Sequence, residues 1–314
     1  LRRATAEDIT PNPEAIGWKI EGCVKNRISE YEVVISSENG ESRRLFLDGK
    51  KASIMKLSQI LRIVWLVPSM DRIWIEGSSG RRQFLDRLTL SYFPEHAETS
   101  LSYEKAMRER NRLLKEKIYN EHWYNALEIE MAKSAVSIQK ARLKAIKYLS
   151  EAQNNLTRKF PKAELLLVDP DQIIITDEEE AMQALKGSRK SDMILGRTSV
   201  GPHKSDLQAI YEDKLTLAKD CSTGEQKAML ISIILANAKS LAKISDISPI
   251  VLLDEVSAHL DKDRQAALYD EICGLGVQAW MTGTGLEFFS ELKNRAQFIE
   301  VSTIDGISKL SISN

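Results

Sequence analysis

Two adjacent acids, Asp254 and Glu255, follow the apolar run "PIVLL". A third acid, Asp261, comes after a short turn. A buried strand that ends in carboxylates is unfavourable unless a cation lies beside it. At the carboxyl end of such a strand, where α/β folds place ligand groups, Asp254 could hold Mg²⁺ and Glu255 could orient or deprotonate an attacking water. The alternative is that "LLDE" only ends a strand with solvated acids.

The second chemically suggestive stretch is "CSTGEQKAML", residues 221–230. Ser222 is a suitable N-cap for a helix, and Glu225 three residues later completes a capping box. The same helix start would also expose backbone N–H groups and the positive end of the helix dipole, which together attract anions. Gly224 would let a phosphate approach the backbone closely. The stretch therefore predicts a helix start, with or without a bound phosphate.

A phosphate-binding loop of the form G-x-x-x-x-G-K-[ST] does not occur in the printed sequence. Two glycine pairs have the required gap, "GWKIEG" at 17–22 and "GRTSVG" at 196–201. The first lies in a β-like context without a turn into a helix. The second runs into a strand, and its Lys204 lies two places too late. We predict that neither pair forms a phosphate-binding loop.

The elements that would position these residues change in type along the chain. The first third contains short alternating or β-branched runs, "IGWKIEGCV", "EYEVVIS" and "RRLFLDG", and "ILRIVWLVP" predicts a more buried strand. The last third reads β–α–β–α–β, with a long helix from near Ser222, a strand Ile250 to Leu253, and the helix "KDRQAALYDEICGLG" before "VQAWMTG". This order is typical of an α/β sheet. We also predict strands at "KAELLLVDP", "QIIIT", "AQFIEVS" and "ISKLSIS", and a helix at "DEEEAMQAL".

The middle of the chain has a helical period. Neither Pro nor Gly occurs from Leu101 to Leu156, and a stripe recurs there at spacings of three and four: Tyr124, Leu127, Met131, Ala135, Ile138, Arg142, Ala145 and Leu149. The pattern predicts half of a helical hairpin, either packed on the domain or projecting as a coiled coil. Eleven Lys and Arg against six Glu between Leu101 and Ser150 give a net charge of about +5. Both a solvated face and DNA contact explain this charge.

Composition excludes several classes of protein. The 314 residues carry a net charge of −1, so a DNA site would be a local patch. Three scattered cysteines give no metal-binding spacing and fit a reducing compartment. The longest apolar run, "IVWLVP", is too short to span a bilayer, and no signal peptide is visible. We therefore expect a cytoplasmic protein without membrane partners.

The order of "STGEQ", an apolar helix, "IVLLDE" and "SAHLD" resembles the signature, Walker B and D-loop succession of ABC-type ATPases. The segments "EGSSGRRQFLDR" at 76–87 and "GPHKSDL" at 201–207 resemble more closely the RecF family of the SMC-like branch. The resemblance covers essentially the whole chain. It implies an α/β ABC-type ATPase head with an inserted helical lobe. The implied divisions are 1–77 (first part of the ATPase lobe), 78–195 (helical lobe with its hairpin) and 196–314 (second part of the ATPase lobe).

The resemblance also implies a function in recombinational DNA repair, replication-gap repair and SOS induction. Such a protein would be an ATP-gated homodimer and weak ATPase that binds single-stranded or gapped DNA and helps recombinase loading with other mediator proteins. Asp254 would hold Mg²⁺, Glu255 would be catalytic, and Asp261 would lie in the D-loop at the dimer interface. The partner subunit's ATP would meet Ser222, Gly224, Glu225 and Gln226. The DNA would contact Arg81, Arg82 and Arg87.

Some features depart from the family pattern. The chain has Glu225 where the family signature carries Gln, its switch position falls within "MTGTG", and no Q-loop glutamine lies near "VPSMDR". In RecF-like proteins the phosphate-binding loop lies on the first strand–helix unit, and "LRRA" resembles the segment shortly after it. We therefore expect that the chain lacks several tens of amino-terminal residues; a product that has lost nucleotide binding is the alternative. Rival interpretations are another SMC-like or ABC ATPase, or a DNA-binding or dimerisation module without ATPase activity.

Overall fold

A computed structural model describes residues 17–26, 29–38, 41–157, 159–169, 174–244, 247–304 and 307–313. The strands are β1 (Gly17–Lys25), β2 (Glu30–Glu38), β3 (Arg44–Leu47), β4 (Lys50–Lys51), β5 (Ile63–Leu66), β6 (Ala163–Val168), β7 (Asp206–Tyr211), β8 (Thr216–Leu217), β9 (Ile250–Leu253), β10 (Ala279–Met281), β11 (Phe298–Ile304) and β12 (Ile307–Ser313). The α-helices are α1 (Ile54–Ile60), α2 (Ser78–Tyr92), α3 (His96–Lys115), α4 (Glu121–Gln153), α5 (Glu178–Leu195), α6 (Thr223–Ile244) and α7 (Lys262–Gly274).

A three-stranded parallel sheet in the order β10–β9–β5 lies at the centre of the largest core. Val64 and Leu66 of β5 and Val251 and Leu253 of β9 are buried in that core together with most of α6. Because side chains alternate along a strand, one face of the sheet carries this apolar set. The parallel pairing brings the carboxyl ends of β5, β9 and β10 to one edge. The predicted α/β arrangement of the last third is confirmed.

The other strands form antiparallel sheets. Strands β1 to β4 form one sheet in sequence order, and α1 closes a small core of Val33, Leu45, Leu47 and Ile60 against it. Strands β6, β7 and β8 form a second sheet, and β11 and β12 form a two-stranded ribbon. Since "GWKIEG" lies in β1, and "GRTSVG" follows α5 and leads toward β7, neither forms a loop entering a helix. This agrees with the prediction that both glycine pairs are unrelated to phosphate binding.

Within the predicted helical lobe, helices α3, α4 and α5 pack on one another. The predicted stripe on α4 is buried, apart from the half-buried Leu127, and its inner end at Ala145 and Leu149 reaches the central core. The outer end joins a separate apolar cluster that includes Tyr103 and Met131. Residues 116–120 separate α3 from α4, and Lys117 in this stretch has φ 54°. Of the two alternatives, packed helices rather than a projecting coiled coil are observed.

A buried charge cluster connects the helices of this lobe. Arg110 and Glu128, both with 0% side-chain exposure, are joined by an Nε–Oε1 contact of 3.0 Å. Arg110 Nη1 also contacts Asp192 Oδ2 at 2.7 Å and donates to Thr198 Oγ1 at 2.9 Å. Arg189 Nη2 contacts the second Glu128 oxygen at 2.6 Å. The buried charges are therefore paired, as burial requires.

The structure corrects one element and leaves one prediction open. The strand predicted at "QIIIT" is wrong where it can be checked, because residues 174–176 are irregular; residues 172–173 lie outside the described ranges. The residues "LRRA" lie outside them too. The three-part division of the chain stays a prediction, although β6, from the second part, pairs with β7 of the third. Across the described ranges, no helix is long and apolar enough to cross a membrane.

Candidate functional site

Asp254 lies at the carboxyl end of β9, where the ends of β5 and β10 meet it. Its backbone N–H donates to Leu66 O at 2.9 Å, and Thr282 N donates to Leu253 O at 3.0 Å, so the parallel pairing continues to this edge. Thr282 Oγ1 donates to Asp254 Oδ1 at 2.6 Å. Asp254 is otherwise exposed. The carboxylate is thus oriented by one hydroxyl and remains open to a ligand.

Glu255 has the left-handed backbone conformation, with φ 51°. This conformation is unfavourable for a residue with a Cβ and is held here by its surroundings. Its backbone N–H donates to Thr282 Oγ1 at 3.2 Å, and the residue is exposed. One hydroxyl therefore organises both acids. Sequence reasoning noted only that "MTGTG" occupies the switch position and did not select Thr282; the signal available was its place directly after a parallel strand.

The predicted capping box forms at the start of α6. Ser222 N donates to Glu225 Oε2 at 2.9 Å, Ser222 Oγ donates to the same oxygen at 2.8 Å, and Glu225 N lies 3.4 Å from Ser222 Oγ. Lys214, from the turn before β8, forms an ion pair with the other Glu225 oxygen. The hydrogen bond from Lys214, and then those from Ser222, lower the pKa of the Glu225 carboxyl to about 2. Gly224 is exposed, and a Cβ there would meet nothing within 4 Å.

Gln226 is buried behind this helix start. Its side-chain amide donates to Cys221 O at 3.0 Å and to Lys219 O at 3.3 Å, and its own carbonyl accepts from Trp74 Nε1 at 3.3 Å. Gln226 therefore holds the loop that leads into α6. Asp261 is the N-cap of α7 and accepts from Arg264 N at 2.8 Å, while its side chain remains 59% exposed.

The three arginines predicted to contact DNA differ in how much of each guanidinium is available. Arg81 makes two contacts of 2.8 Å with the Asp206 carboxylate, and its remaining nitrogen donates to backbone carbonyls. The Arg87 guanidinium lies 4.6 Å from the centroid of the Trp65 ring, and burial lowers the pKa of Arg87 to about 10. Arg82 Nη1 donates to Ser205 O and Ser78 Oγ, and the residue is half-buried. Arg81 and Arg87 are therefore engaged inside the protein.

The "FLD" of the same segment ends in Asp86, which joins two helices. Arg142 of α4 binds both Asp86 oxygens, at 2.8 and 2.9 Å, and His96 Nε2 lies 2.9 Å from Oδ1. Burial alone would raise the pKa of the Asp86 carboxyl, but these hydrogen bonds outweigh it and lower that pKa to about 2. Arg142 also donates to Pro202 O at 2.8 Å and to Ser205 Oγ at 2.9 Å. The segments 76–87 and 201–207 thus meet around Arg142.

In the part of the chain that the structure describes, no group of three or more His, Cys, Asp or Glu side chains could hold a metal ion. The residues that were predicted to contact ATP or Mg²⁺ lie in two places. Asp254 and Glu255 lie with Thr282 at the edge of the sheet, and the signature residues 222–226 lie at the start of α6. Thr282 and Lys214 are the additions that the structure makes to the predicted set. The roles of the predicted site residues remain proposals.

Proteins named DNA replication and repair protein RecF are similar to this chain over most of their length. The protein from Allorhizobium ampelinum is 39% identical over 312 residues, covering 96% of this chain and 83% of the relative. That from Agrobacterium fabrum is 41% identical over 315 residues, covering 96% and 84%. A comparison with protein-family models gave no match.

Solved structures with low sequence identity share the fold. The recombination mediator protein RecF with ATP, described as part of the RecFOR pathway, has a TM-score of 0.81 at 20% identity, covering 99% of this chain and 84% of that one. An Smc head bound to the C-terminal winged-helix domain of ScpA has a TM-score of 0.51 at 14% identity, covering 94% and 73%. The expected ATPase-head architecture is confirmed by the first of these likenesses.

Proposed function

The chain belongs to the RecF family of DNA replication and repair proteins, and on that premise we propose that it is an ATP-dependent DNA-binding protein that closes as a homodimer on ATP. Its task would be recombinational repair of gapped or single-stranded DNA, including SOS induction and recombinase loading with other mediator proteins. The proposal that the protein binds and hydrolyses ATP rests on the grouping of Asp254, Glu255 and Thr282 at the edge of the parallel sheet.

Asp254 fits a Mg²⁺ site, because Mg²⁺ takes one or two protein carboxylates together with substrate phosphates and water. Thr282 would keep the Asp254 carboxylate oriented, since its hydroxyl already donates to Oδ1 at 2.6 Å. Glu255 would hold the attacking water or accept its proton, and its exposed side chain is free to do so. Bound Mg²⁺ would supply charge neutralisation at the phosphates.

The start of α6 would meet the ATP of the second subunit. Ser222 and Gly224 are exposed at a helix N-terminus, where N–H groups and the helix dipole favour a phosphate. Glu225 places a negative charge at the same point, and Lys214 balances it. Gln226 would act by fixing the loop, and Asp261 would face the partner from the start of α7.

DNA contact is expected mainly through phosphates, so binding should tolerate sequence changes and weaken with salt. Arg82 is the best placed of the three predicted arginines, because Arg81 and Arg87 are engaged internally. Replacing Arg81 and Arg82 together by Ala should weaken DNA binding, but part of that loss would come from the broken Arg81–Asp206 pair. Arg82→Gln alone is therefore the cleaner variant.

The test compares nucleotide binding by two proteins: the 314-residue chain, and the same chain fused behind a strand–helix unit that carries a phosphate-binding loop of the form G-x-x-x-x-G-K-[ST]. We expect weak or no ATP binding by the first, since its sequence has no G-x-x-x-x-G-K-[ST]. We expect Mg²⁺-dependent ATP binding and dimerisation by the second. The control is the fusion with its phosphate-loop lysine replaced by Ala.

The rival function is a DNA-binding or dimerisation module without ATPase activity. The fusion separates the two, because a module without nucleotide chemistry would bind DNA equally with and without ATP. A folded fusion that neither binds ATP nor dimerises with it would contradict the nucleotide part of the proposal. Unchanged DNA affinity on addition of ATP would contradict the gating part.

A further inference from the structure

Lys227 lies in the second turn of α6, directly after the signature residues 222–226. Among the lysines whose side chains the structure describes, it alone is buried, with 6% exposure. Its ammonium Nζ lies 3.4 Å from Asp71 Oδ2, and the Asp71 side chain is 29% exposed. Neither residue belongs to the set that the sequence predicted to contact ATP, Mg²⁺ or DNA. A buried ammonium at this place is therefore not accounted for by the predicted site.

Stability alone does not explain this ion pair. An ammonium loses hydration when it is buried, and well-packed apolar side chains in place of a buried ion pair are often no less stabilising. A cation near the N-terminal end of a helix is also repelled by the helix dipole. The contact of 3.4 Å is longer than the ~2.7–2.9 Å of a charge-assisted hydrogen bond, so the attraction offsets these terms only in part. A buried polar pair of this kind can instead fix the register of the elements that it joins.

Asp71 is held at a fixed place relative to the edge of the parallel sheet. It follows the short 3-10 helix Pro68–Met70, and its backbone N–H donates to Pro68 O at 3.1 Å. This turn continues β5, whose last residue, Leu66, accepts from Asp254 N at 2.9 Å. Four residues separate Leu66 from Asp71. The position of the Asp71 carboxylate is therefore tied to the strand end beside the candidate acids.

A second contact joins the same segment to the start of α6. Trp74 is 3% exposed, and its ring Nε1 donates to Gln226 O at 3.3 Å. Arg81 donates to backbone carbonyls of this segment and is itself held by Asp206 through two contacts of 2.8 Å. We refer to residues 67–76 as the connecting segment. Through Asp71 and Trp74, the connecting segment links the sheet edge to two consecutive residues of α6.

We propose that Lys227 and Asp71 are positioning residues, which set the start of α6 relative to the acids at the sheet edge. This inference rests on the proposed function, in which these two places contact the ATP molecules of two subunits. The N–H groups at residues 222–224 meet a phosphate on the partner only in the correct orientation, and a small misplacement weakens such a contact strongly. Loss of the pair therefore leaves ATP binding at the sheet edge intact and weakens closure of the dimer.

The first experiment measures hydrogen exchange of backbone N–H groups in the 314-residue protein and needs no nucleotide. Lys227→Met removes the ammonium and keeps an unbranched side chain of similar length. We expect exchange at residues 226–228 to accelerate about tenfold, because the start of α6 loses a connection to the connecting segment. Exchange at residues 230–240 of the same helix should stay within about twofold. Equal acceleration along the whole helix, or none at residues 226–228, would overturn the inference.

Lys239→Met is the matched control on the same helix. Lys239 lies about three turns further along α6, and its Nζ lies 3.3 Å from Glu271 Oε2, which is nearly the separation in the Lys227–Asp71 pair. The Lys239 pair does not involve the connecting segment. Exchange at residues 226–228 should therefore stay within about twofold of the unsubstituted protein. The same acceleration there as in Lys227→Met would show that Lys227 has no special part in positioning α6.

The second experiment uses the fusion with the phosphate-binding loop and compares Lys227→Met, Asp71→Asn and the double variant. ATP affinity should stay within about threefold in all of them, whereas ATP-dependent dimerisation, followed by light scattering, should weaken about tenfold in each single variant. The double variant should dimerise no more weakly than either single variant, because the two residues act as a pair. Additive losses in the double variant, or a loss of ATP affinity equal to the loss of dimerisation, would contradict the assignment.

The two experiments separate this inference from the proposed function. If the unsubstituted fusion neither binds ATP nor dimerises with it, the proposed function fails, while localised exchange in the first experiment still supports positioning of α6 by Lys227. If the fusion dimerises with ATP and the single variants dimerise equally well, the proposed function stands and the inference fails. Asp71→Asn, which changes a partly exposed carboxylate, keeps both experiments decisive even if Lys227→Met does not fold.

Discussion

Two pairs of carboxylates in this protein have opposite environments. Glu128 and Asp192 in the helical lobe are fully buried, and Arg110 alone contacts both of them, at 3.0 and 2.7 Å. Asp254 and Glu255 at the sheet edge are exposed, and Thr282 is the side chain that contacts both residues. The charges of Glu128 and Asp192 are neutralised inside the protein by Arg110. Asp254 and Glu255 are exposed, and no cationic side chain among the described residues forms an ion pair with either of them.

The difference separates structural acids from candidate functional acids. A buried carboxylate without its cation carries a large desolvation cost, so the Arg110 cluster is required by the fold. An exposed pair at the end of a parallel strand costs the fold little, yet its backbone is strained at Glu255, where φ is 51°. Mutations should therefore affect stability in the helical lobe and nucleotide chemistry at the sheet edge.

The largest effect on stability is expected from Arg110→Met, which leaves Glu128 and Asp192 without the cation that joins them. We expect the free energy of unfolding to fall by about 3–5 kcal/mol. Denaturant unfolding followed by circular dichroism measures this. Arg108→Met is the matched control, because Arg108 is 68% exposed and lies 3.9 Å from Glu104; its change should stay within about 0.5 kcal/mol. A similar fall in the free energy of unfolding for both variants would contradict the claim that the buried Arg110 ion pairs stabilise the fold more than the exposed Arg108–Glu104 pair does.

An intermediate effect, visible as a pH dependence, is expected from Asp86→Asn. The pKa of the folded Asp86 carboxyl is about 2, below its ordinary value of 3.8, so the unfolded chain binds the proton more readily. The stability that Asp86 contributes is present above about pH 4 and is lost as the pH falls toward about 2.

Unfolding measured from pH 5 to pH 2 should therefore show a smaller acid-induced loss for Asp86→Asn than for the unsubstituted protein. At neutral pH the variant should be less stable by about 1–3 kcal/mol, since hydrogen bonds to a charged group are lost. Asp213→Asn, at an exposed position, should retain the full acid-induced loss. An identical pH profile for Asp86→Asn would show that the His96 and Arg142 bonds do not stabilise the charged form.

The smallest effect on stability is expected from Asp254→Asn. The side chain is exposed and the amide can still accept from Thr282, so the free energy of unfolding should change by less than about 0.5 kcal/mol. The same substitution in the fusion that carries a phosphate-binding loop should abolish the Mg²⁺ dependence of ATP binding, measured by titration with and without Mg²⁺. A large loss of stability would show that Asp254, like Glu128 and Asp192, stabilises the fold.

Local patterns in the sequence are sufficient to predict many of the helices and strands. The strand Ile250–Leu253 was predicted with its observed limits, because a short apolar run before two acids has one simple interpretation. The Ser222–Glu225 capping box was predicted for the same reason, since both partners lie within one helical turn. The strand predicted at "QIIIT" is wrong for its described part, because an apolar β-branched run alone does not ensure a pairing partner.

Contacts between distant segments were not predictable from the sequence. From the sequence alone, Arg81 could equally well belong to a basic patch or form an ion pair with Asp206. The two residues lie 125 positions apart, and only the fold brings them together. Thr282 reaches Asp254 through the pairing of β9 with β10, which spacing along the chain does not indicate. The roles of the acids, the signature residues and the arginines remain predictions.

The most direct measurement concerns Glu255→Gln in the fusion with the phosphate-binding loop, studied by light scattering and by phosphate release with Mg²⁺ and ATP. We expect ATP hydrolysis to fall by about 100-fold or more while ATP-bound dimers accumulate, because the water-activating carboxylate is lost and binding is kept. The fusion without this substitution should dimerise transiently. Monomers in the presence of ATP, or hydrolysis at the rate of the unsubstituted fusion, would contradict the assignment of Glu255 and of the site around it.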